Sequence, residues 1–469
     1  MLLACGALHQ ARGQANRRPL SSADVEDIAK LEMLEDRRQF DSTELARILA
    51  APHPELRRRA AISIARINDK RGTALLRSRA LDADTAVAAS VVFAVGQLRD
   101  TLAVAFLDSL LSDSRTPPTM ATEAAAGLGK IRSVPARMAL ERYLARAAAN
   151  ERTTETIGEA LLAVGRVTQR GDIRPIVKWS TSPDEELRWR AAWSLFRPRD
   201  PAAVATLITL GSDQSALVRS WAVRGLARPQ ADSVGLGPKA EALLIAAARD
   251  IDRRVRTEAL RALGTYSDSL VVNALLAGLR SADSWISVSA SEGMARVKAP
   301  ATITSLVLTA TGAPSCTIRL AAMQALFAFS MPDAVQGAIG ALHHPSPYCR
   351  LTALQALARD TTDIPARAIG RAAVDAFLQD RLLALRSQAW LSHWTILDSE
   401  LDATARRTAR RIDVLSPDHV QRAASLRAMV QWADTTDLPL LLDLYARAVK
   451  DTAGGVASSS VAVIAAIQR

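Results

Sequence analysis

Small and apolar residues recur along this chain at helical spacing, in blocks that begin beside Asp, Ser or Pro. The clearest block runs from Arg249 to Gly264 and reads R-D-I-D-R-R-V-R-T-E-A-L-R-A-L-G. Val255, Ala259, Leu260, Ala262 and Leu263 share one broad helical face, and Thr257, Glu258 and Arg261 are expected to face away. With Val255 as anchor, equivalent positions are Leu56, Val87, Met120, Thr156, Leu187, Val218, Ile286, Ile318, Cys349, Leu385, Val420 and Val456, which makes thirteen copies. Five of the twelve intervals are 31 residues and the longest is 37. A period in this range marks a repeat architecture. It accommodates two helices of about 11–13 residues and two turns. Neither helix can bury its apolar side alone, so neighbouring repeats must stack. The predicted fold is an all-α, right-handed α-solenoid of about thirteen two-helix repeats.

The pattern also divides the chain. Residues 1–22 read as a tether, and residues 23–40 as an N-terminal capping helix with Ser22 as its cap and Glu26 in its first turn. Residues 41–469 are the array. The longer segments 146–155, 229–239 and 359–367 are expected to be extended loops. The last repeat closes at Ile467-Gln468-Arg469 with no polar helix after it. Terminal repeats need a polar outer face, so further chain, a partner or a second copy is expected to cover that end.

Composition changes this picture little. Hydrophobic residues make up 49% of the chain but aromatics only 4%, which fits an Ala- and Leu-rich core of closely packed helices. A net charge of +11 invites a nucleic-acid reading. Only seven of the 59 basic residues are Lys, however, and the repeat itself uses an Arg after the anchor in seven of its thirteen copies. Acidic residues are interspersed, and no basic arm is present. No run of about 18 apolar residues occurs either.

Three resemblances follow from motifs. D-x-x-x-x-V-R-x-x-A-x-x-A-L-G, written in full at Asp250 to Gly264, resembles the HEAT-like repeats of bacterial proteins, whereas tetratricopeptide and ankyrin signatures are absent. Leu34 to Asp41, L-E-D-R-R-Q-F-D ahead of a long array, is similar to bacterial envelope proteins that carry a cyclophilin-type prolyl isomerase after the repeats. That likeness implies a regulatory or substrate-binding arm, since no cyclophilin-like segment occurs in this sequence. Leu2-Leu3-Ala4-Cys5 resembles a bacterial lipobox, with Cys5 as the residue that would be lipidated. Together these imply a periplasm-facing lipoprotein of the cell envelope, with a cytoplasmic protein as the alternative.

Four groups of residues could carry function. Arg57, Arg188, Arg219, Arg256, Arg319, Arg350 and Arg386 follow the anchors, and Asp82, Asp213 and Asp250 precede them. They are expected to form a structural Asp–Arg ladder between repeats. Two, three and six places after the anchor lie Trp189, Arg190 and Trp193, then Trp221 and Arg224, then Glu258 and Arg261. HEAT-like arrays turn these second helices to the concave side, so an exposed patch of Trp and Arg is expected there, tempered by Glu159 and Glu258. Such a patch suits a protein or peptide partner. The bland alternative is that the indoles fill gaps between Ala-rich helices. Stacking of nucleic-acid bases is a further alternative. Cys316, His343, His344 and Cys349 are zinc-type residues without zinc-type spacing, so no metal is expected. A Cys316–Cys349 disulfide is the alternative to two free thiols, and it requires an oxidising compartment. Phosphate-loop, nucleophile-elbow and zinc-protease motifs are absent. The sequence therefore reads as a non-catalytic protein-binding scaffold without a cofactor.

Overall fold

A computed structural model describes residues 19–151, 153–358, 364–429 and 433–450 of the protein. Cys5 and the thirteenth anchor, Val456, lie outside the described residues. Within them are 27 α-helices joined by turns and short 3-10 segments, and no strand. The chain is an all-α solenoid. It divides into two compact units, one running to Leu226 and including Gln230–Gly237, the other formed by Ala227–Pro229 and Pro238 onward.

The first unit opens with the helix Ser22–Asp36. Its cap is Ser21 rather than Ser22: the Ser21 hydroxyl accepts from the Asp24 N–H, and the Asp24 carboxylate accepts from the Ser21 N–H. This helix packs on Pro54–Ile67 and so covers the first repeat. Each repeat then pairs a first helix with a second one. The second helices are Pro54–Ile67, Thr85–Gln97, Pro118–Ile131, Thr154–Arg166, Glu185–Phe196 and Ala216–Arg224, each packed on the next. In the second unit the corresponding row is Arg253–Leu263, Ser284–Val297, Cys316–Leu326, Pro347–Leu357, Leu383–Glu400 and His419–Met429. All twelve described anchors are buried. Asp84, Asp184, Asp252 and Asp283 cap second helices by accepting from first-turn N–H groups, as Asp before a helical run predicts.

Some expectations need correction. Thr257 is buried, and its hydroxyl bonds back to the Arg253 carbonyl instead of reaching solvent. Residues 229–239 are not an extended loop: Arg228–Asp232 and the start of Gly237–Ala247 are helical, with only Gly235 at positive φ in the turn between. Residues 147–151 and 153 are loop, while 154–155 already belong to Thr154–Arg166. Of 359–367, residues 359–363 lie outside the described residues and 364–367 open the helix Ile364–Asp375 rather than a loop.

The glycine near the end of each block has a packing cause. A Cβ on Gly96 would sit 2.5 Å from the Gly127 Cα, and one on Gly129 would sit 2.7 Å from the Ala163 Cα. Successive second helices thus touch backbone to backbone. Replacing Gly96 with Val is expected to wedge two helices apart and cost about 1–3 kcal/mol. Urea unfolding measures this, and an unchanged midpoint would contradict the close approach.

Candidate functional site

The Asp–Arg ladder proves to be a turn clamp with a rung attached. Arg57 Nη1 donates to the carbonyls of Ala51 and Pro52, while Nε and Nη2 grip Asp82 at 2.8 Å each. Arg188 repeats this with Ser182, Pro183 and Asp213. The same aspartates accept from the cap N–H two residues on, at Asp84 and Ser215. Asp250 accepts likewise from Asp252. Arg219 and Arg256 make the same pair of carbonyl bonds in their own turns. Elsewhere the ladder departs from expectation. Arg386 lies 3.8 Å from Asp418, and Arg350 Nε is buried without a partner among the described residues. Ala88, Ala121 and Ile157 stand at the arginine position in the second to fourth repeats, which leaves those rungs out.

His344 stands where the ladder has Asp. Its Nδ1 accepts from the Ser346 N–H at 3.0 Å, and its Nε2 donates to the Pro314 carbonyl at 3.0 Å. Arg319, freed of an Asp partner, donates instead to the carbonyls of Ala313 and Gly340. Cys316, His344 and Cys349 do come together, with ligand atoms within 4.8 Å of one another. Both ring nitrogens of His344 are engaged with the backbone, however, so the ring offers no lone pair to a cation. The cluster is accounted for as a ladder position and two neighbouring thiols. The thiols are free, not a disulfide. Burial pushes the Cys349 thiol up to about 12, which keeps it protonated and unreactive. His343 is exposed beside this group.

The aromatic and basic residues of the first unit lie in two groups on Glu185–Phe196 and Ala216–Arg224. Phe196 stacks on Trp221 with centroids 5.6 Å apart and meets Trp193 edge-on at 6.5 Å. Arg224 lies over both Phe196 and Trp221, Arg197 over Trp193, and Arg190 over Trp189, each within 5.1–5.4 Å of the ring centroid. Glu186 accepts from Trp189 Nε1 at 2.9 Å and from Arg190 at 3.2 Å. These indoles are half-buried rather than exposed. The cause lies one repeat earlier. A Cβ on Gly165 would meet the Trp193 ring at 2.6 Å, and one on Gly158 would meet the Arg190 guanidinium at 1.9 Å. Glycines on Thr154–Arg166 therefore seat both side chains, and Phe196, which sequence reasoning missed, seats Trp221. The spacing of Gly158 and Gly165, two turns apart on one helix face, is the signal that could have revealed it. Glu159 pairs with Arg166 at 2.7 Å. In the second unit, Arg261 bonds Glu292 at 2.8 Å and Glu258 at 3.3 Å.

A second aromatic group, in the second unit, also escaped the sequence reading. The helix Leu383–Glu400 is 18 residues long and carries Trp390, His393 and Trp394. The fully buried Arg410 stacks 3.3 Å from the Trp394 centroid and bonds Asp398 and Asp413. His393 bonds Asp375.

With this geometry in view, the comparisons with known proteins are informative about fold. A family model described as HEAT repeats matches residues 42–126 and 213–295. The chain carries HEAT repeats. Among solved structures, the Kap95:Nup1 complex is 14% identical over 91% of this chain and 67% of its own, with a TM-score of 0.52. Kap95p with RanGDP is 14% identical over 96% and 65%, with a TM-score of 0.51. Kap121p bound to the extreme C-terminus of the phosphatase Cdc14p is 13% identical over 97% and 59%, also with a TM-score of 0.51. This chain thus spans about two thirds or less of those proteins. At such identity the likeness is one of HEAT-type solenoid architecture. No curated protein matches the sequence.

Proposed function

We propose that this chain is a non-catalytic protein-binding scaffold whose main contact is the surface of Trp189, Arg190, Trp193, Trp221 and Arg224. The observation that carries this is the row of guanidinium groups laid over half-buried rings on two successive helices. Trp and Arg dominate binding energy where they are held in place, and here glycines and ring stacking hold them. The rings offer flat apolar area at little entropic cost. Arg190, Arg197 and Arg224 bring cations over the rings, and Glu186 holds Trp189 and Arg190. The fitting partner is a polypeptide segment that mixes aliphatic side chains with carboxylates. Kap121p and Kap95 are solved with protein partners on the same architecture, which supports this reading. The cell envelope is its proposed setting, resting on the motifs at Leu2–Cys5 and Leu34–Asp41, and an arm of a cyclophilin-type isomerase is the alternative role.

Selection of displayed random peptides on the full chain tests the proposal. Acidic, aliphatic-rich peptides are expected to be enriched, and to be lost when the bait carries Trp189→Ala. Enrichment of lysine-rich peptides, or of peptides indifferent to Trp189→Ala, would overturn it.

A further inference from the structure

The ends of the capping helix and of several second helices in the first unit carry an unusual backbone. Arg38, after the capping helix, and Asn68, Arg99, Arg132 and Arg199, after second helices, all lie at φ between 49° and 62°. Glycine or asparagine normally fills that position, because a Cβ is strained there. A cation near a helix C-terminus suits the helix dipole. That explains basic residues nearby, but not arginine at the strained residue itself.

Two of these arginines face a common space. A cavity of about 630 Å³ is lined by Arg38, Arg66, Asn68, Phe93, Gln97 and Arg99, together with two small or apolar neighbours. Three guanidinium groups and two amides line it, and no carboxylate does. Arg38 is held by donating to the Arg66 carbonyl at 2.8 Å, and Arg66 by Glu35 at 2.9 Å. Phe93 in the wall is covered by the Lys130 ammonium at 4.4 Å. Burial chiefly holds that ammonium below its ordinary value, and the Arg166 and Arg99 charges add to the effect. Among nearby acids, Asp69 bonds Arg71 and Asp100 accepts from the Leu102 N–H, while Glu35 pairs with Arg66.

We infer that Arg38, Arg66 and Arg99 form a binding site for a phosphate monoester, presented by a phosphorylated side chain of the bound protein partner. A dianionic phosphate has three terminal oxygens and matches several guanidinium donors at once. Arginine clusters are a recurrent solution for phosphorylated segments. The choice of partner rests on the protein-scaffold reading, while the site itself stands on the cavity alone.

The test uses the full chain and two probes, phenyl phosphate and a phosphoserine-bearing peptide, each followed by ³¹P line broadening and anisotropy. Arg38→Gly and Arg99→Gly remove the guanidinium while relaxing the backbone, so melting temperature should hold or rise as phosphate binding falls at least tenfold. The unphosphorylated peptide should bind at least tenfold more weakly than its phosphorylated form. Tighter binding of the peptide than of phenyl phosphate supports a protein-borne phosphate. Equal affinity for both overturns the assignment to a partner. No broadening at millimolar probe, or binding unchanged in both glycine variants, overturns the site. So does Arg99-dependent binding of single-stranded oligonucleotides without binding of either monoester. Trp189→Ala should leave phenyl phosphate binding intact, so failure here is distinguishable from failure of the aromatic surface.

Discussion

Arg188→Ala is expected to lower the unfolding free energy of the protein by about 3–5 kcal/mol, the range for removing one partner of a buried ion pair. Arg188 is only 6% exposed, and it holds two carbonyls of its own turn and both oxygens of Asp213. Its removal leaves a carboxylate in a place built for a fork. Arg188→Lys should recover little, because an ammonium cannot make parallel bonds to both oxygens. The equivalent rung at Arg57 supplies a pH signature. The Arg57 hydrogen bonds hold the Asp82 carboxyl below its usual range. A depressed folded value means the rung contributes fully above about pH 4 and is lost as pH falls through that value. Arg57→Ala should therefore lose more stability at neutral pH than in acid. Urea unfolding of both variants checks this, and a loss under about 1 kcal/mol for Arg188→Ala would place that guanidinium among surface pairs.

Arg410→Ala is expected to cost about as much, roughly 3–5 kcal/mol, for a different reason. The fully buried Arg410 separates two carboxylates, Asp398 and Asp413, and lies flat on Trp394. Burial already pushes the Asp413 carboxyl up despite the guanidinium beside it. Without Arg410 both acids face a low-dielectric pocket and each raises the other further. A folded value raised above the unfolded one favours the protonated native state, so the deficit should be largest near pH 7 and shrink toward about pH 4–5. Unfolding at those two pH values measures it. A deficit that stays constant would mean the carboxylates are solvated.

How much of this was legible in the sequence depends on the range of the interaction. Val255 and its equivalents were readable because each is buried by a neighbour of the same kind, one repeat away. The rungs at Arg57–Asp82 and Arg188–Asp213 were readable for the same reason. The fate of Arg256 was not, since its visible bonds close its own turn through backbone carbonyls, which any sequence supplies. The half-burial of Trp193 depends on the absence of a side chain at Gly165. His344 looked like a metal ligand by residue type, yet its place five residues before Cys349 makes it a substitute for aspartate. The cap at Ser21, one residue from Ser22, turned on which of two adjacent serines reaches Asp24. The Arg410 cluster was hidden because it joins pairs of residues on two helices, Leu383–Glu400 and Ala403–Asp413, and the repeat pattern does not mark their meeting.

The central claim is that the surface around Trp189 and Trp221 binds a protein segment, and one titration tests it most directly. A peptide enriched by selection is titrated into the wild type and into Trp189→Ala/Trp221→Ala, and the melting temperature of each is measured alongside. Two anchors of this kind are worth about 2–4 kcal/mol together, a loss of roughly 30- to 1,000-fold in affinity. Some stability should also go, because Trp221 stacks on Phe196, whereas Trp189→Ala alone should weaken binding with an unchanged melt. A lower melting temperature with undiminished affinity would contradict the claim and reduce the indoles to packing.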